Sequence, residues 1–418
     1  MTATRTTLAR TDGTRMTKTP MTKTPVTKTP MIKTPMIKTP MTKTPMTTPL
    51  IVKTSMAAAA LTACSTAALA QSSVTLYGTV DQYVSYLRSN SGEKSLALED
   101  GALTLTRWGL RGSEDLGSGR RATFQLESGV NADDGTAADK SRLFDRQAWV
   151  GLAGGFGEVR LGRQNTVVLG RGSYVDHSAR TLGSVFNAFG IPARYDNDVS
   201  YISPRVAGFL VEAHYALAET PNQSRRQSVK QLGVDYEHGP YRLGYVGVTA
   251  GPPSPATYTA NVQYQNVYAN YDYGQGKIYL AYARSNNSTA TGAGNNAGTI
   301  LSNVGGVVDG TNADVHRMYN LWQISADYRA TPQFRVGALF GVLDDRSGNR
   351  SASGTSVAGY YDLSKRTTLY TVAQQLRNRG SAGFRPAGSA GLKSNFATPN
   401  DVNGRTITGL HAGILHRF

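Results

Sequence analysis

From Val74 onward the sequence alternates. The segment VTLYGTVDQYVSYL places Val74, Leu76, Val80 and Val84 on one face and Thr75, Tyr77, Thr79, Asp81 and Ser85 on the other, the period of a β-strand with one apolar side. In RATFQLESG, Arg121, Thr123, Gln125 and Glu127 alternate with Ala122, Phe124 and Leu126. QAWVGLAG puts Ala148, Val150 and Leu152 on one face, and GEVRLG opposes Val159 and Leu161 to Glu158, Arg160 and Gly162. The same pattern fits a soluble sandwich with its apolar face inward and a membrane barrel with its apolar face toward lipid.

The connections separate these two. Short links are expected at 113–119, 153–157, 205–208, 237–240, 273–276, 329–333 and 363–366. Longer ones fall between them at 89–100, 130–142, 164–197, 218–228, 250–258, 285–315, 344–353 and 377–405. Strict alternation of seven short and eight long connections makes sixteen strands, with turns at one end and loops at the other. That sorting marks an all-β, sixteen-stranded antiparallel transmembrane barrel, and an even count lets the first and last strands close the edge. Tyrosines in ANVQYQNVYANYDYG and KIYLAYA then fit the membrane–water interface, although tyrosine also favours strands in general. Segments 285–315 and 377–405 are rich in Gly, Asn, Ser and Thr, which reads as mobile and solvated.

Composition narrows the class further. No run of eighteen apolar residues occurs, which excludes a helical membrane protein. The net charge of +16 suggests an anionic partner, but residues 1–70 hold ten basic groups and one acid, and the remainder is only +7. With no zinc-finger spacing and no basic block beyond residue 70, nucleic acid is not an expected partner. One cysteine, Cys64, excludes a disulfide framework and a multi-cysteine metal site.

Residues 1–45 carry a Lys-Thr-Pro pentad with proline at Pro20, Pro25, Pro30, Pro35, Pro40 and Pro45, which forbids helix and central strand. They read as a disordered or wrongly assigned extension, or as a basic arm with its own partner. Residues 46–70 then supply Lys53, an alanine-rich apolar stretch and Ala68-Leu69-Ala70, the pattern of a removed secretory signal. Leu61-Thr62-Ala63-Cys64 offers the alternative of a lipid-modified cysteine. Either way the protein is exported, and residues 71–418 form the barrel.

The segments SSVTLYGTVDQYV, RWGLRGSEDLGSGRRATFQLESG, DRQAWVGLAGGFGEVRLGRQN and YDNDVSYISP resemble the general porins of beta-proteobacteria, over Ser72 to Phe418. The resemblance implies a trimer of sixteen-stranded channels in the cell outer membrane, among lipid and lipopolysaccharide. It also implies that the third external loop, here Gln164 to about Asn197, folds into the lumen and narrows it. Leu182, Val185, Phe186 and Phe189 are placed to pack that loop on the wall.

A channel for small hydrophilic solutes makes no covalent bond in its solute, so charges on the polar strand face carry its selectivity. Parity puts Arg107, Arg111, Arg121 and Arg160 in the lumen, with Tyr77, Asp81 and Glu127 on the same face. The resemblance implies a basic ladder opposite the loop, which Arg107 and Arg160 match best; pairing with Glu127, Glu158 or Asp81 is the alternative. Strict alternation puts Arg146 on the lipid face, unless a bulge, the rim or a subunit contact shelters it. The loop carries Arg171, Arg180 and Arg194 against Asp176, with Asp196 and Asp198 at its exit as candidate counter-charges. A weak anion preference is expected.

The six histidines show no triad or metal spacing, so no catalytic residue, metal or cofactor is expected. An enzyme inside a barrel is the alternative. In TITGLHAGILHRF, Leu410, Ala412, Ile414, His416 and Phe418 share one face, opposite Leu415 and Arg417. The resemblance implies that Phe418 is read by the barrel-assembly machinery.

Overall fold

The computed structural model describes residues 72–218, 228–251, 261–286, 317–346, 348–390, 396–398 and 401–418. The expectations for residues 1–70, and most of those for 285–315, lie outside the described residues.

The chain forms one antiparallel sheet that closes on itself. Its strands are β1 (Ser73–Ser89), β2 (Lys94–Asp100), β3 (Arg107–Gly117), β4 (Arg120–Asn131), β5 (Thr136–Ala137), β6 (Gln147–Gly154), β7 (Gly157–Asn165), β8 (Arg194–Ile202) and β9 (Phe209–Ala216). They continue with β10 (Val229–His238), β11 (Tyr241–Ala250), β12 (Val262–Asp272), β13 (Lys277–Ser285), β14 (Tyr319–Arg329), β15 (Phe334–Asp345), β16 (Ala352–Asp362), β17 (Thr367–Asn378) and β18 (Thr406–Arg417). β18 returns to β1, Thr79 opposite Arg417 and Ser89 opposite Ile407, so no strand edge is left unpaired at the seam.

Among the described residues eighteen strands make sixteen wall positions. β5 is a two-residue hairpin on the end of β4. β2 and β3 share one position: β2 pairs with the upper part of β1, Gln82 to Arg88, and β3 with the lower part, Ser73 to Thr79. The link expected at 89–100 is therefore a tight hairpin followed by a strand. Between β2 and β3 the chain leaves the wall at 101–106, where the Asp81 carboxylate receives the N–H groups of Leu103 (2.7 Å) and Thr104 (2.9 Å) and the Tyr370 hydroxyl. Those bonds satisfy backbone donors that the interrupted ladder leaves open.

Seven connections, of two to six residues each, lie at one end: β3–β4, β6–β7, β8–β9, β10–β11, β12–β13, β14–β15 and β16–β17. The outward positions are apolar and exposed, including Val74, Leu76, Val84, Val150, Leu161 and Ile324. Tyrosine divides in two. Tyr241, Tyr271, Tyr273, Tyr328 and Tyr361 stand exposed near the short turns, as an interfacial girdle requires. Tyr83, Tyr195, Tyr264, Tyr268 and Tyr319 are buried inside the barrel, which the interface argument did not anticipate.

At the seam, Gly78 and Phe418 exchange N–H···O bonds of 3.1 Å in both directions. A β-carbon on Gly78 would fall inside the Phe418 ring, so the glycine lets the ring lie on the neighbouring strand.

Candidate functional site in the barrel lumen

Between β7 and β8, residues 166–193 turn inward as loop 3. Thr166 caps α1 (Val167–Gly170), its hydroxyl accepting the Leu169 N–H at 3.0 Å. A single helical turn, α2 (Val185–Phe189), ends at Gly190, whose φ of 95° is left-handed. Leu182, Val185, Phe186 and Phe189 are all buried, so the apolar residues singled out in the loop do seat it. The last three meet an inner wall that is largely apolar, where Val246, Val248, Tyr264, Ala281, Leu321, Leu339 and Leu343 form one core with them, while Leu182 packs in a second core with Tyr83, Tyr370 and Val372. Glycines on β15 and β16 make room. A β-carbon on Gly341 would come within 2.8 Å of Val185 Cγ2.

Polar staples fix the register. Gln323 Oε1 accepts the Val185 N–H (2.9 Å), Ser325 Oγ accepts the His177 N–H (3.0 Å), and Gln231 Oε1 accepts the Val167 N–H (3.1 Å). Asp176 is 1% exposed, with Oδ1 taking the Ser178 and Arg180 N–H groups and the Ser178 hydroxyl, and Oδ2 taking Ser184 Oγ and Gln323 Nε2. Its charge is spent inside the loop's own turn. Burial pushes the His177 imidazole below its ordinary value, so at neutral pH the loop's positive charge comes from its arginines.

The opposite wall is polar. Tyr77 donates to Glu127 Oε2 at 2.8 Å and accepts from Gln125 Nε2 at 2.6 Å, and the Arg111 guanidinium lies 5.3 Å from the Tyr77 ring centroid. Glu127 is shared by two arginines, Arg107 at 3.2 Å and Arg146 at 2.7 Å. Arg160 pairs with Glu158 at 2.6 Å and stacks 4.2 Å over Trp149. Arg107 and Arg160 are thus both lumenal and paired, so the two readings of them meet.

Arg146 is a correction. It is buried inside the barrel on Glu127, and the reason is that β6 begins only at Gln147, so alternation does not extend to it. Arg121 is exposed on β4 beside the β3–β4 turn, opposite Asp115, away from loop 3. Asp81 is fully buried at the wall break and offers no free charge. Arg171 is bound to Glu212 at 2.7 Å. Arg180 is buried, donates to the Leu169 carbonyl at 3.4 Å, and has no carboxylate within 4 Å among the described residues. Neither Asp196 nor Asp198 serves the arginine wall: Asp196 is held by Arg142 and Arg163, and Asp198 by His214.

The last connection, 379–405, also departs from its solvated reading. Phe384 is buried against Phe189 and Tyr319 with ring centroids 6.1 Å apart in both cases, and Asn187 Nδ2 donates to the carbonyls of Ala387 (2.6 Å) and Gly388 (2.9 Å). Ser389 and Ala390 donate backbone N–H groups to the carbonyls of Ala102 and Gly101 at the break after β2.

What remains open between the two walls is a cavity of about 1240 Å³. Arg107, Arg111, Arg146, Arg160, Arg180, Arg194, Arg385 and Arg417 line it, and Glu127 is the one acid among the described residues that do. Arg385 and Arg417 were not singled out from the sequence; parity alone would have found Arg417, which lies opposite Leu410 and Phe418.

A model of the Gram-negative porin family matches residues 57–381. The chain belongs to that family. An outer membrane porin protein of Bordetella pertussis is 30% identical over 404 residues, covering 88% of this chain and all of the relative, and outer membrane porin protein 32 of Delftia acidovorans is 30% identical with the same coverage. Among solved structures, the anion-selective porin from Comamonas acidovorans aligns with a TM-score of 0.65 at 25% identity, over 83% of this chain and all of the other. This porin is an outer-membrane channel, and its fold and family are those of a channel rather than an enzyme.

Proposed function

We propose that this porin passes small hydrophilic solutes and ions by passive diffusion, favours anions weakly, and has its narrowest ring between loop 3 and the arginines of β3 and β7. It catalyses no reaction. The observation that carries the reading is the cavity's eight arginines to one glutamate. Clustered guanidinium groups in a confined aqueous passage raise the local anion concentration and oppose cation entry. In this reading Arg107, Arg111 and Arg160 form the fixed ladder, Glu127 moderates it, and Arg180 presents positive charge from the loop. The anion-selective porin among the structural neighbours supports the sign.

Three further assignments belong to the same proposal. Residues 46–70 are the export signal, cut after Ala70, and residues 1–45 take no part in the channel. The barrels associate as trimers within the outer-membrane lipid and lipopolysaccharide. Phe418, on the closing seam with Gly78, is the assembly signal.

Reversal potential across a planar bilayer with a salt gradient tests the sign directly. An anion-side potential is expected, and a clear cation preference would overturn the reading.

A further inference from the structure

On β8 and β9 a buried chain of charges lies outside the arginine ladder. His214 is buried on the inner face of β9, with Nδ1 2.6 Å from Asp198 Oδ2 and Nε2 2.9 Å from Glu212 Oε1. The other oxygen of Glu212 is 2.7 Å from Arg171 Nη2, at the end of α1 in loop 3. A neutral imidazole donates through one nitrogen only. Two carboxylate partners therefore need two protons for two bonds, whichever atom formally carries them, and with both in place the four charges sum to zero.

The neighbouring side chains of β7 and β10 are committed elsewhere. From β7, Gln164 is already bound to Ser200 Oγ and to the Asp198 carbonyl. From β10, Gln231 serves α1, while Asp235 is held by Arg205 and Arg242. The Tyr195 hydroxyl faces Asp198 from the same strand, and Arg160 shares with Glu212 a recess of about 280 Å³ beneath α1.

We propose that His214 is a positioning residue, a latch whose second proton bolts Asp198 to Glu212 and so fixes Arg171 and the first turn of loop 3 to the barrel wall. When that proton leaves, the neutral ring keeps one carboxylate and turns a lone pair toward the other. The set then carries one uncompensated negative charge. Glu212 is driven toward the recess, and Arg171 either follows it, dragging α1, or lets go. Alkaline pH thus loosens the loop at its entry while α2 remains seated.

The test is single-channel recording of the purified porin between pH 6 and 10. Wild type is expected to be quiet at neutral pH, with closing events rising on the order of tenfold through a one-proton step at higher pH, as befits loss of one charge-assisted bond. His214→Gln, which is neutral at every pH and has one donor nitrogen where the ring uses two, should be noisy throughout and lack the step, and Arg171→Gln should lose the pH dependence. Identical profiles for wild type and His214→Gln would overturn the latch. A second readout needs no variant: ring-nitrogen resonances of wild type in detergent should show His214 protonated on both nitrogens at pH 7.5, and a neutral ring hydrogen-bonded through one nitrogen would equally overturn it. The proposal rests on the channel assignment and not on anion preference, which the reversal potential reads separately.

Discussion

The half-wall from β1 to β7 and the half-wall from β11 to β16 obey the same two-residue period and put it to different uses. On the first, inward positions are polar: Thr79, Gln125, Glu127 and Arg160 face water while Val74, Val150 and Leu161 face lipid. On the second, the outward face is apolar and the inward face is largely so, interrupted by polar staples such as Gln323 and Ser325. Val246, Tyr264, Leu321 and Leu339 point inward, and Trp322, Ile324 and Phe340 point outward. An apolar lumen face left to water forgoes about 25 cal/mol for each Å² exposed, so it demands a cover. Loop 3 is that cover. In the proposed reading the dry half sets where the loop lies, and the wet half sets what charge a solute meets.

Removing the loop's anchor should break this division most severely. Phe186→Ala with Phe189→Ala deletes two fully buried rings, each worth about 3–5 kcal/mol in a packed core. The loop should leave the wall, and single-channel conductance should rise while the barrel still assembles. Unchanged conductance would mean that the polar staples hold the loop without the core.

Arg146→Ala disturbs the wet half instead. It strips Glu127 of its closer partner while Arg107 and the Tyr77 hydroxyl remain, and should lower thermal stability in detergent by about 1–3 kcal/mol, the cost of removing one charged hydrogen bond from a buried group. Adding Glu127→Gln should restore part of that loss; no restoration would show that Arg146 contributes by packing rather than by charge. Gly341→Val is the gentlest probe. Its new methyl groups crowd Val185, at about 1–3 kcal/mol for overpacking, and should shift conductance in the same direction as the phenylalanine pair but by less. A neutral result would place Gly341 outside the docking contact.

Much of this was legible along the chain. Alternation found the strands, sorting of the connections found the topology, and parity found Tyr77, Arg107, Arg111, Glu127 and Arg160 on the lumen face. What failed did so for identifiable reasons. Parity holds only within a strand, and Arg146 sits one residue before β6 begins. The break at 101–106 hides β2, because Asp81, twenty residues earlier, supplies the acceptor that makes the detour tolerable. Asp176 reads as a pore charge until its turn closes around it. The inward fold of the last loop depends on Phe384 meeting Phe189 and Tyr319, contacts between positions far apart in sequence. His214 and Glu212 share a face at i and i+2, but their meaning appears only when β8 brings Asp198 alongside.

The central claim is that charge selection and pore width belong to different half-walls. The most direct test compares reversal potential and conductance in two variants of this porin, Arg107→Gln with Arg160→Gln on one side and Phe186→Ala with Phe189→Ala on the other. The account predicts that the arginine pair moves the reversal potential toward the cation side with a smaller change in conductance at high salt, and that the phenylalanine pair raises conductance while the potential keeps its sign. If the arginine pair leaves the potential where it was, or the phenylalanine pair reverses it, the division is contradicted.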